Sequence, residues 1–286
     1  MLTQERIDSE LKPRFSRVLE AHKGKQYVAN HSLGRMPDAA FENSSRGVAL
    51  WADKMEQAWS DDAWTGEITR FRSLIARLTG LPSANNVVMK TSAGQGLRAV
   101  LNSFPVDKKL QVVSTRGEFD SIDFILKTYA KAGRISVAWA ERRPGLVPTI
   151  DAQDVMDLIG PGTDLVVVSA VMFATGQVLR GIEDLIAKAH SVGAIVVVDS
   201  YHAVGAMPFD LAAIGADFVI GGSYKYLRGA PGACFLGFSD KVLDSGRRTL
   251  DTGWYAKKHK FEFEKSEVAE VASGGDGWNE STPPVF

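Results

Sequence analysis

The sequence predicts an α/β protein built on an open, mostly parallel β-sheet with helices on both faces, a three-layer arrangement. Three observations lead to this prediction. From about residue 86 the chain alternates short apolar runs with helical patterns of roughly ten residues. Two of these runs, LVVVSA at 165–170 and IVVVD at 195–199, are of the type found in strands that are covered on both faces. With 286 residues, 45% of them hydrophobic, the chain can bury one large core or two modest ones.

The first 80 residues are predicted to be mainly helical. Apolar residues recur at near-helical spacing between Ile7 and Val18, which indicates an amphipathic N-terminal helix. A second helical region covers about residues 39–60, and a third covers 67–79, with Gly80-Leu81-Pro82 as its stop signal. The apolar residues of the third helix are predicted to share one face: Ile68, Phe71, Leu74, Ile75 and Leu78.

Strands and helices then follow in regular order. Strands are predicted at 86–90, 110–114, 134–139, 165–170, 195–199, 218–222 and 234–238. Helices are predicted at 94–104, 121–132, 151–159 and 181–192. After about residue 245 the sequence becomes polar, aromatic and rich in Gly and Pro. We therefore expect an N-terminal arm and helix over 1–40, a large α/β domain over 41–245, and the start of a linker toward a small domain over 246–286.

Ligands of such sheets bind beyond the carboxyl ends of the strands, so the residues that follow each strand are the first candidates for a site. Asp199 ends a buried apolar strand, and a buried carboxylate needs a partner. A backbone amide, an arginine or a protonated ligand nitrogen would serve. Lys225 follows the 218–222 strand. It is either a snorkelling lysine or a desolvated amine that can attack a carbonyl and form a Schiff base.

The segment Thr91-Ser92-Ala93-Gly94 lies between a predicted strand and a predicted helix. Small residues there let backbone N–H groups and hydroxyls wrap a phosphate at the positive helix end, although Ser or Thr is also an ordinary N-cap. Phe119, at another strand end, could stack on a flat ring. A phosphate cradle, a carboxylate for a pyridinium nitrogen and a lysine for an aldehyde together describe a site for pyridoxal 5'-phosphate.

Motifs around these residues add a resemblance to a known family. Asp199-Ser-Tyr-His202 is followed, 26 residues after the aspartate, by Lys225 within Tyr-Lys-Tyr-Leu. Further similar motifs are His31-Ser-Leu-Gly34, Thr175-Gly-Gln177, Pro231-Gly232, Gly253-Trp254 and Ser281-Thr282-Pro283-Pro284. From about residue 27 onward the chain resembles the class V branch of the pyridoxal-phosphate aminotransferase superfamily, fold type I, and within it the kynureninases.

The resemblance implies a role for each matching residue. Lys225 would bind the cofactor aldehyde and later move protons, Asp199 would keep the pyridine nitrogen protonated, and His202 would lie beside the cofactor. Phe119 would stack on the ring. Further cofactor contacts are expected from Thr91, Ser92, Asp120, Ser169 and Tyr224. Trp254 and Thr282 would reach a phosphate, that of a partner subunit, because the family's sites form at a dimer interface.

The resemblance also implies an amino-acid substrate. Kynureninase-type chemistry hydrolyses a Cβ–Cγ bond, and an aminotransferase reaction is the alternative within the class. Members of the family continue past the Pro-Pro motif into a small domain that carries an arginine for the substrate carboxylate, whereas this sequence ends at Phe286. We therefore expect either a truncated, weakly active or non-catalytic cofactor-binding homologue, or a carboxylate anchor elsewhere. A desulfurase would need a mobile nucleophilic cysteine, and Cys234 lies in a predicted strand.

Other functional classes fit the sequence less well. Gly94-Gln-Gly96-Leu-Arg-Ala99 matches a loose dinucleotide fingerprint, but an NAD-dependent oxidoreductase leaves Asp199 and Lys225 unexplained. A net charge of −1 without a basic stripe argues against nucleic-acid binding. No apolar run approaches membrane-spanning length, and the charged N-terminus lacks a signal-peptide core. A single cysteine suits a reducing compartment, so we expect a cytoplasmic protein. The resemblance implies a homodimer, and we expect no metal site.

Overall fold

A seven-stranded sheet organises the computed structural model of this chain, which describes residues 3–263, 265 and 267–283. The strands are β1 (Val87–Lys90), β2 (Leu110–Thr115), β3 (Ile135–Ala140), β4 (Leu165–Ser169), β5 (Ile195–Asp199), β6 (Phe218–Gly222) and β7 (Cys234–Phe238). Their order across the sheet is β1-β7-β6-β5-β4-β2-β3. Strand β7 is antiparallel to both of its neighbours, and the other pairs are parallel. The prediction of a mostly parallel sheet is confirmed.

Helices precede the sheet and alternate with its strands. The α-helices are α1 (Gln4–Arg6), α2 (Ser16–Ala21), α3 (Asp38–Lys54), α4 (Trp64–Thr79), α5 (Ala93–Leu101), α6 (Asp120–Lys131), α7 (Ala152–Met156), α8 (Ile182–Ser191), α9 (Leu211–Ile214) and α10 (Asp240–Asp244). Short π or 3-10 segments lie at Ile7–Leu11, Lys12–Phe15, Met55–Trp59, Ala84–Asn86, Trp254–Ala256 and Gly274–Trp278. The predicted N-terminal helix is thus a succession of short segments. Helices α9 and α10 were not predicted, because four or five residues carry too little periodicity.

Helix α4 ends as predicted but packs differently. Gly80 caps it in the left-handed conformation, with φ of 69°. Ile68 is buried, whereas Leu74 and Leu78 are 40% and 43% exposed, so the prediction of one shared apolar face is wrong for these two. The buried face instead includes Arg72, whose Nη1 lies 2.6 Å from a carboxylate oxygen of Asp276. Because Arg72 is buried by pairing with a residue far along the chain, the buried face of α4 differs from the face that hydrophobic spacing alone indicates.

Two apolar clusters cover the two faces of the sheet. Residues Val166, Val168, Val196 and Val198 of β4 and β5 pack in one cluster with side chains from α4, α7 and α8. The alternate residues of the same strands, including Val167, pack in the other cluster with side chains from α5 and α6. Because successive strand residues point to opposite faces, this distribution confirms helices on both sides. Within the described residues no helix is both long and apolar enough to cross a membrane.

The segment after α10 packs directly on this core. The Trp278 side chain is fully buried, and its ring centroid lies 5.6 Å from that of Phe218 and 5.0 Å from that of Phe238. Its carbonyl oxygen accepts a hydrogen bond of 2.8 Å from Nζ of Lys90.

We expect Trp278→Ala to lower the free energy of unfolding by about 3–5 kcal/mol, because it empties a close-packed site of its largest side chain. Chemical denaturation measures the loss. Trp278→Phe is the matched control and should cost less, since Nε1 of Trp278 has no hydrogen-bond partner among the described residues. A loss for the alanine variant below about 1 kcal/mol, the range of surface substitutions, would show that this segment does not support the core.

Candidate active site

The carboxyl ends of the parallel strands surround a cavity of about 300 Å³. This is the edge of the sheet at which a ligand site was predicted. Most of the predicted site residues line it: Thr91, Ser92, Phe119, Ser169, Asp199, His202, Tyr224 and Lys225. The structure therefore brings together the three chemical features that the strand ends indicated, namely the lysine, the carboxylate and the small-residue loop.

Three predicted residues lie outside this cavity. Asp120 begins α6 and is exposed. Trp254 is 40% exposed and packs against Tyr255 and Phe261. Thr282 borders a separate small crevice beside Thr91. The roles expected for Trp254 and Thr282 across a subunit interface stay predictions, and Pro284 of the Pro-Pro motif lies outside the described residues.

Lys225 is a buried lysine, 5% exposed, whose amine faces the cavity. Its Nζ lies 2.8 Å from Nε2 of His202. The same nitrogen lies 4.7 Å from the ring centroid of Phe119 and 4.9 Å from that of Tyr201. Burial lowers the pKa of Lys225, and the nearby Asp199 opposes this shift only in part. The environment therefore favours the neutral amine, which is the nucleophilic form.

The N-terminal arm holds the loop that carries this lysine. The N–H of Gly34 donates a hydrogen bond of 2.7 Å to the carbonyl oxygen of Tyr224. A Cβ atom at position 34 would overlap the carbonyl oxygen of Lys225, so only glycine allows this approach. The carbonyl oxygen of His31 lies 3.2 Å from Nε2 of His202. These contacts give a physical reason for the His31-Ser-Leu-Gly34 motif, because it fixes both the lysine loop and the histidine.

Asp199 presents one carboxylate oxygen to the cavity without a protein partner. The residue is 5% exposed, and its Oδ1 accepts a hydrogen bond of 2.8 Å from the N–H of Tyr201. Among the described residues, none hydrogen-bonds to Oδ2. Burial raises the pKa of Asp199 to about 6, while the Tyr201 N–H and the charge of Lys225 oppose that rise. Such an oxygen is costly to leave unpaired, and a protonated ring nitrogen would satisfy it.

His202 is a neutral imidazole in this setting. Burial, and next the neighbouring Lys225, lower its pKa to about 4. It can therefore share a hydrogen bond with the Lys225 amine near neutral pH without placing a second positive charge beside it.

The N-terminus of α5 also lines the cavity. The Ser92 Oγ accepts a hydrogen bond of 3.0 Å from the N–H of Gln95, so its N-cap role is confirmed. The N–H and Oγ of Thr91 both donate to Oε1 of Gln95, at 2.8 and 3.2 Å. Ala93 and Gly94, the first helical residues, line the cavity. The first N–H groups of a helix have no intrahelical partner and attract anions.

Arg98 adds positive charge to this helix end. Its side chain lines the cavity and makes no hydrogen bond or ion pair with any residue in the described ranges. A Cβ atom built on Gly94 would lie 3.7 Å from Nη1 of Arg98 and 3.8 Å from Oγ of Ser92. The guanidinium and the capping hydroxyl thus lie near one point beside the helix N-terminus. An anion bound there would interact favourably with the guanidinium charge of Arg98 and with the positive N-terminal end of the α5 dipole.

Sequence reasoning missed several residues of this site. Arg98 lies in the second turn of α5. Helical side chains point back toward the N-terminus, and this rule could have placed its guanidinium near the helix start. Tyr201 lies within the Asp-Ser-Tyr-His motif, and its Oη lies 3.5 Å from Sγ of Cys234. Cys234 is buried as predicted, and burial raises the pKa of its thiol, which disfavours the nucleophilic thiolate. Glu118 lies behind Ser169 and hydrogen-bonds to its hydroxyl.

A family model and several curated proteins match the chain. The model of the aminotransferase class-V family matches residues 55–275. A kynureninase of Pseudomonas fluorescens is 28% identical over 251 residues, which cover 85% of this chain and 58% of that protein. A kynureninase of Saccharomyces cerevisiae is 28% identical over 284 residues, covering 91% of this chain and 62% of that protein. The chain thus spans about six tenths of the length of these relatives.

Solved structures share the fold. A variant of C-DES with glycine covalently linked to its pyridoxal phosphate cofactor superposes with a TM-score of 0.77 at 19% identity, covering 95% of this chain and 69% of that one. A cysteine desulfurase from Thermococcus onnurineus NA1 gives a TM-score of 0.76 at 18% identity, with coverage of 100% and 68%. The chain therefore shares the fold of these proteins over about two thirds of their length.

Proposed function

The chain belongs to the aminotransferase class-V family, and we propose that it is a pyridoxal-phosphate-dependent enzyme that acts on an amino acid. One observation carries the proposal. A buried lysine with a lowered pKa and a buried aspartate with an unpaired oxygen face the same cavity. The same cavity is lined by the N-terminus of α5 and by Arg98, whose guanidinium has no hydrogen bond or ion pair within the described residues. This donor set fits an aldehyde, a pyridine nitrogen and a phosphate in a single ligand.

Each residue has a distinct part in this proposal. Bound pyridoxal phosphate supplies an aldehyde and a ring that accepts the electron pair released when a bond to the substrate α-carbon breaks. Lys225 would hold the aldehyde through Nζ, whose neutral form is the nucleophile, and would carry protons to and from substrate carbon atoms. Asp199 holds a proton on the ring nitrogen. His202 hydrogen-bonds to Nζ, and Phe119 forms an aromatic wall of the cavity.

The substrate we propose is an amino acid with a γ-carbonyl group, as in kynurenine, cleaved by hydrolysis of its Cβ–Cγ bond. The curated relatives with 28% identity over most of this chain support it. Cys234 does not suit the mobile nucleophile that a desulfurase needs, because it is buried in β7.

Two measurements test these proposals separately. Titration of the purified protein with pyridoxal phosphate should produce a new absorbance band that borohydride removes, whereas a spectrum equal to that of free cofactor would exclude the cofactor. Incubation of the loaded protein with kynurenine should release anthranilate, which is fluorescent. Absence of release would contradict kynurenine hydrolysis by this chain and leave the cofactor assignment intact.

We also propose that the protein forms a homodimer through the region that includes α3. None of the seventeen residues of this helix is buried, and Val48 and Trp51 are about half exposed. Such apolar exposure on one helix suits an interface. Sedimentation equilibrium should give the mass of a dimer, and a monomer at micromolar concentration would contradict the proposal.

We expect Arg98→Met to weaken the binding of pyridoxal phosphate by about 10- to 100-fold, the range that a hydrogen bond to a charged group of about 1.5–3 kcal/mol implies. Binding of pyridoxal, which lacks the phosphate, should stay unchanged. Arg98→Lys is the control that retains the charge and should lose less. Equal losses for the two ligands would show that Arg98 does not contact the phosphate.

A further inference from the structure

Glu118 is a buried carboxylate outside the machinery assigned so far. It follows β2, is 3% exposed, and does not line the cavity. Its Oε2 accepts a hydrogen bond of 2.6 Å from Oγ of Ser169. Its Oε1 lies 2.7 Å from Oγ1 of Thr115 and 3.2 Å from the N–H of Ser169. Ser169, the last residue of β4, lines the cavity and pairs in register with Asp199 of β5. Glu118 is therefore connected to the site through one side chain.

The number of hydrogens in this network determines what Ser169 presents to a ligand. The Thr115 hydroxyl oxygen accepts a hydrogen bond of 3.0 Å from the N–H of Gly117, so its own hydrogen is free for Glu118. When Glu118 is ionised, the single hydroxyl hydrogen of Ser169 is used by Oε2, and Ser169 offers only lone pairs to the cavity. When Glu118 is protonated on Oε2, that proton bonds to the Ser169 oxygen, and the Ser169 hydrogen is free to point at a ligand.

We propose that Glu118 is a positioning residue whose own proton decides whether the Ser169 hydroxyl donates or accepts a hydrogen bond in the cavity. Through Ser169 it sets the preferred protonation of the ligand group that lies beside that hydroxyl. An accepting Ser169 favours a protonated ligand group, and a donating Ser169 favours a deprotonated one.

The surroundings of Glu118 set its pKa so that it gains and loses its proton near neutral pH. Burial raises the pKa of Glu118 to about 7; the hydrogen bonds from Ser169 and Thr115 oppose the rise, and the charge of Asp199 adds to it. The charge of Asp199 raises the pKa of Glu118. The charge of Lys225 in turn lowers the pKa of Asp199 and that of His202. Occupation of the site by a cation that pairs with Asp199 therefore favours ionisation of Glu118, and an accepting Ser169.

The test rests on the proposed function and uses the cofactor-loaded protein. Glu118→Gln keeps the length of the side chain. The Ser169 N–H and the Thr115 hydroxyl donate at the Oε1 position, so the amide oxygen is expected there and the NH2 group then donates to the Ser169 oxygen. Ser169 therefore stays a donor toward the ligand at every pH. We expect the midpoint of the pH titration of the cofactor absorbance to fall by about one pH unit, a tenfold change in the proton equilibrium. The shift caused by Glu118→Gln should be much smaller in a Ser169→Ala background. A purely structural role would not produce this dependence on Ser169.

Two outcomes would overturn the inference. One is an unchanged midpoint in Glu118→Gln. The other is an equal shift with and without the Ser169 hydroxyl, which would mean that the charge of Glu118 acts on the ligand directly. Failure of the wild-type protein to bind pyridoxal phosphate would contradict the proposed function instead, and the link between the two residues is then tested without cofactor.

The cofactor-free test uses the pH dependence of thermal stability. Because the folded-state pKa of Glu118 is raised, its contribution to stability is fully present below its unfolded pKa and is lost as pH rises through about 7. The melting temperature of Glu118→Gln minus that of wild type should therefore increase between about pH 5 and about pH 8. Ser169→Ala removes a hydrogen bond that stabilises the ionised carboxylate. The loss of stability should therefore continue to a higher pH in this variant than in the wild type. No change of this profile in Ser169→Ala would overturn the link.

Discussion

Lys225→Ala will abolish covalent attachment of pyridoxal phosphate and reduce turnover by roughly a thousandfold or more, since general acid–base catalysis alone contributes about 10²–10⁴-fold. Among the described residues that line the cavity, Lys225 is the only lysine. Its removal takes away both the amine that bonds to the aldehyde and the base that moves protons. Borohydride reduction of the loaded wild-type protein, followed by peptide mass mapping, should place the pyridoxyl group on Lys225.

Lys90 provides the comparison for this experiment. It is buried more deeply than Lys225, and burial also lowers its pKa, but its Nζ is used in the hydrogen bond to the Trp278 carbonyl and it does not line the cavity. If a low pKa alone decided the labelling, both lysines would carry the pyridoxyl group. If the position beside the cofactor decides it, only Lys225 will carry the group. A pyridoxyl group on Lys90, or wild-type labelling in Lys225→Ala, would contradict the assignment of Lys225.

The strand ends were predictable from sequence because two local signals coincide there. An apolar run predicts a buried strand, and a charged residue directly at its end must then lie at the rim of a dry core. Asp199 follows this pattern, Lys225 lies three residues after the end of β6, and the parallel topology brings these strand ends to one edge. The chemistry of the site could therefore be inferred before its geometry was known.

Residues whose role depends on a distant partner could not be predicted in this way. Arg72 is buried because Asp276, far along the chain, lies beside it, and no periodicity in α4 indicates that pair. Glu118 is separated from Ser169 by 51 positions, and only the alignment of β2 with β4 brings them together. Neither residue carries a local sign of its partner, because hydrophobic spacing describes the faces of single elements and not contacts between polar groups.

Replacing Asp199 separates cofactor binding from cofactor chemistry. Asp199→Ala should still bind pyridoxal phosphate, because the covalent bond to Lys225 and the contacts at the α5 N-terminus remain. It should exchange the α-proton of an amino-acid substrate with solvent about 10²–10³-fold more slowly, the usual loss when one group that stabilises developing charge is removed. The physical reason is that a carboxylate 5% exposed, with one oxygen unpaired, stabilises a proton on the ring nitrogen. Deuterium incorporation followed by NMR measures the exchange.

The pH dependence supplies an independent check of the same role. In the free protein the pKa of Asp199 is raised to about 6, so the ionised form that pairs with a cation is lost as pH falls through that value. We therefore expect the affinity of the cofactor-free protein for pyridoxal phosphate to decline below about pH 6 in the wild type more than in Asp199→Ala. Asp199→Glu, which retains a carboxylate, should keep part of the exchange rate, and Asp199→Asn should not. Exchange at the wild-type rate in Asp199→Ala would mean that the ring nitrogen needs no carboxylate in this cavity, and the unpaired oxygen of Asp199 would then require another partner.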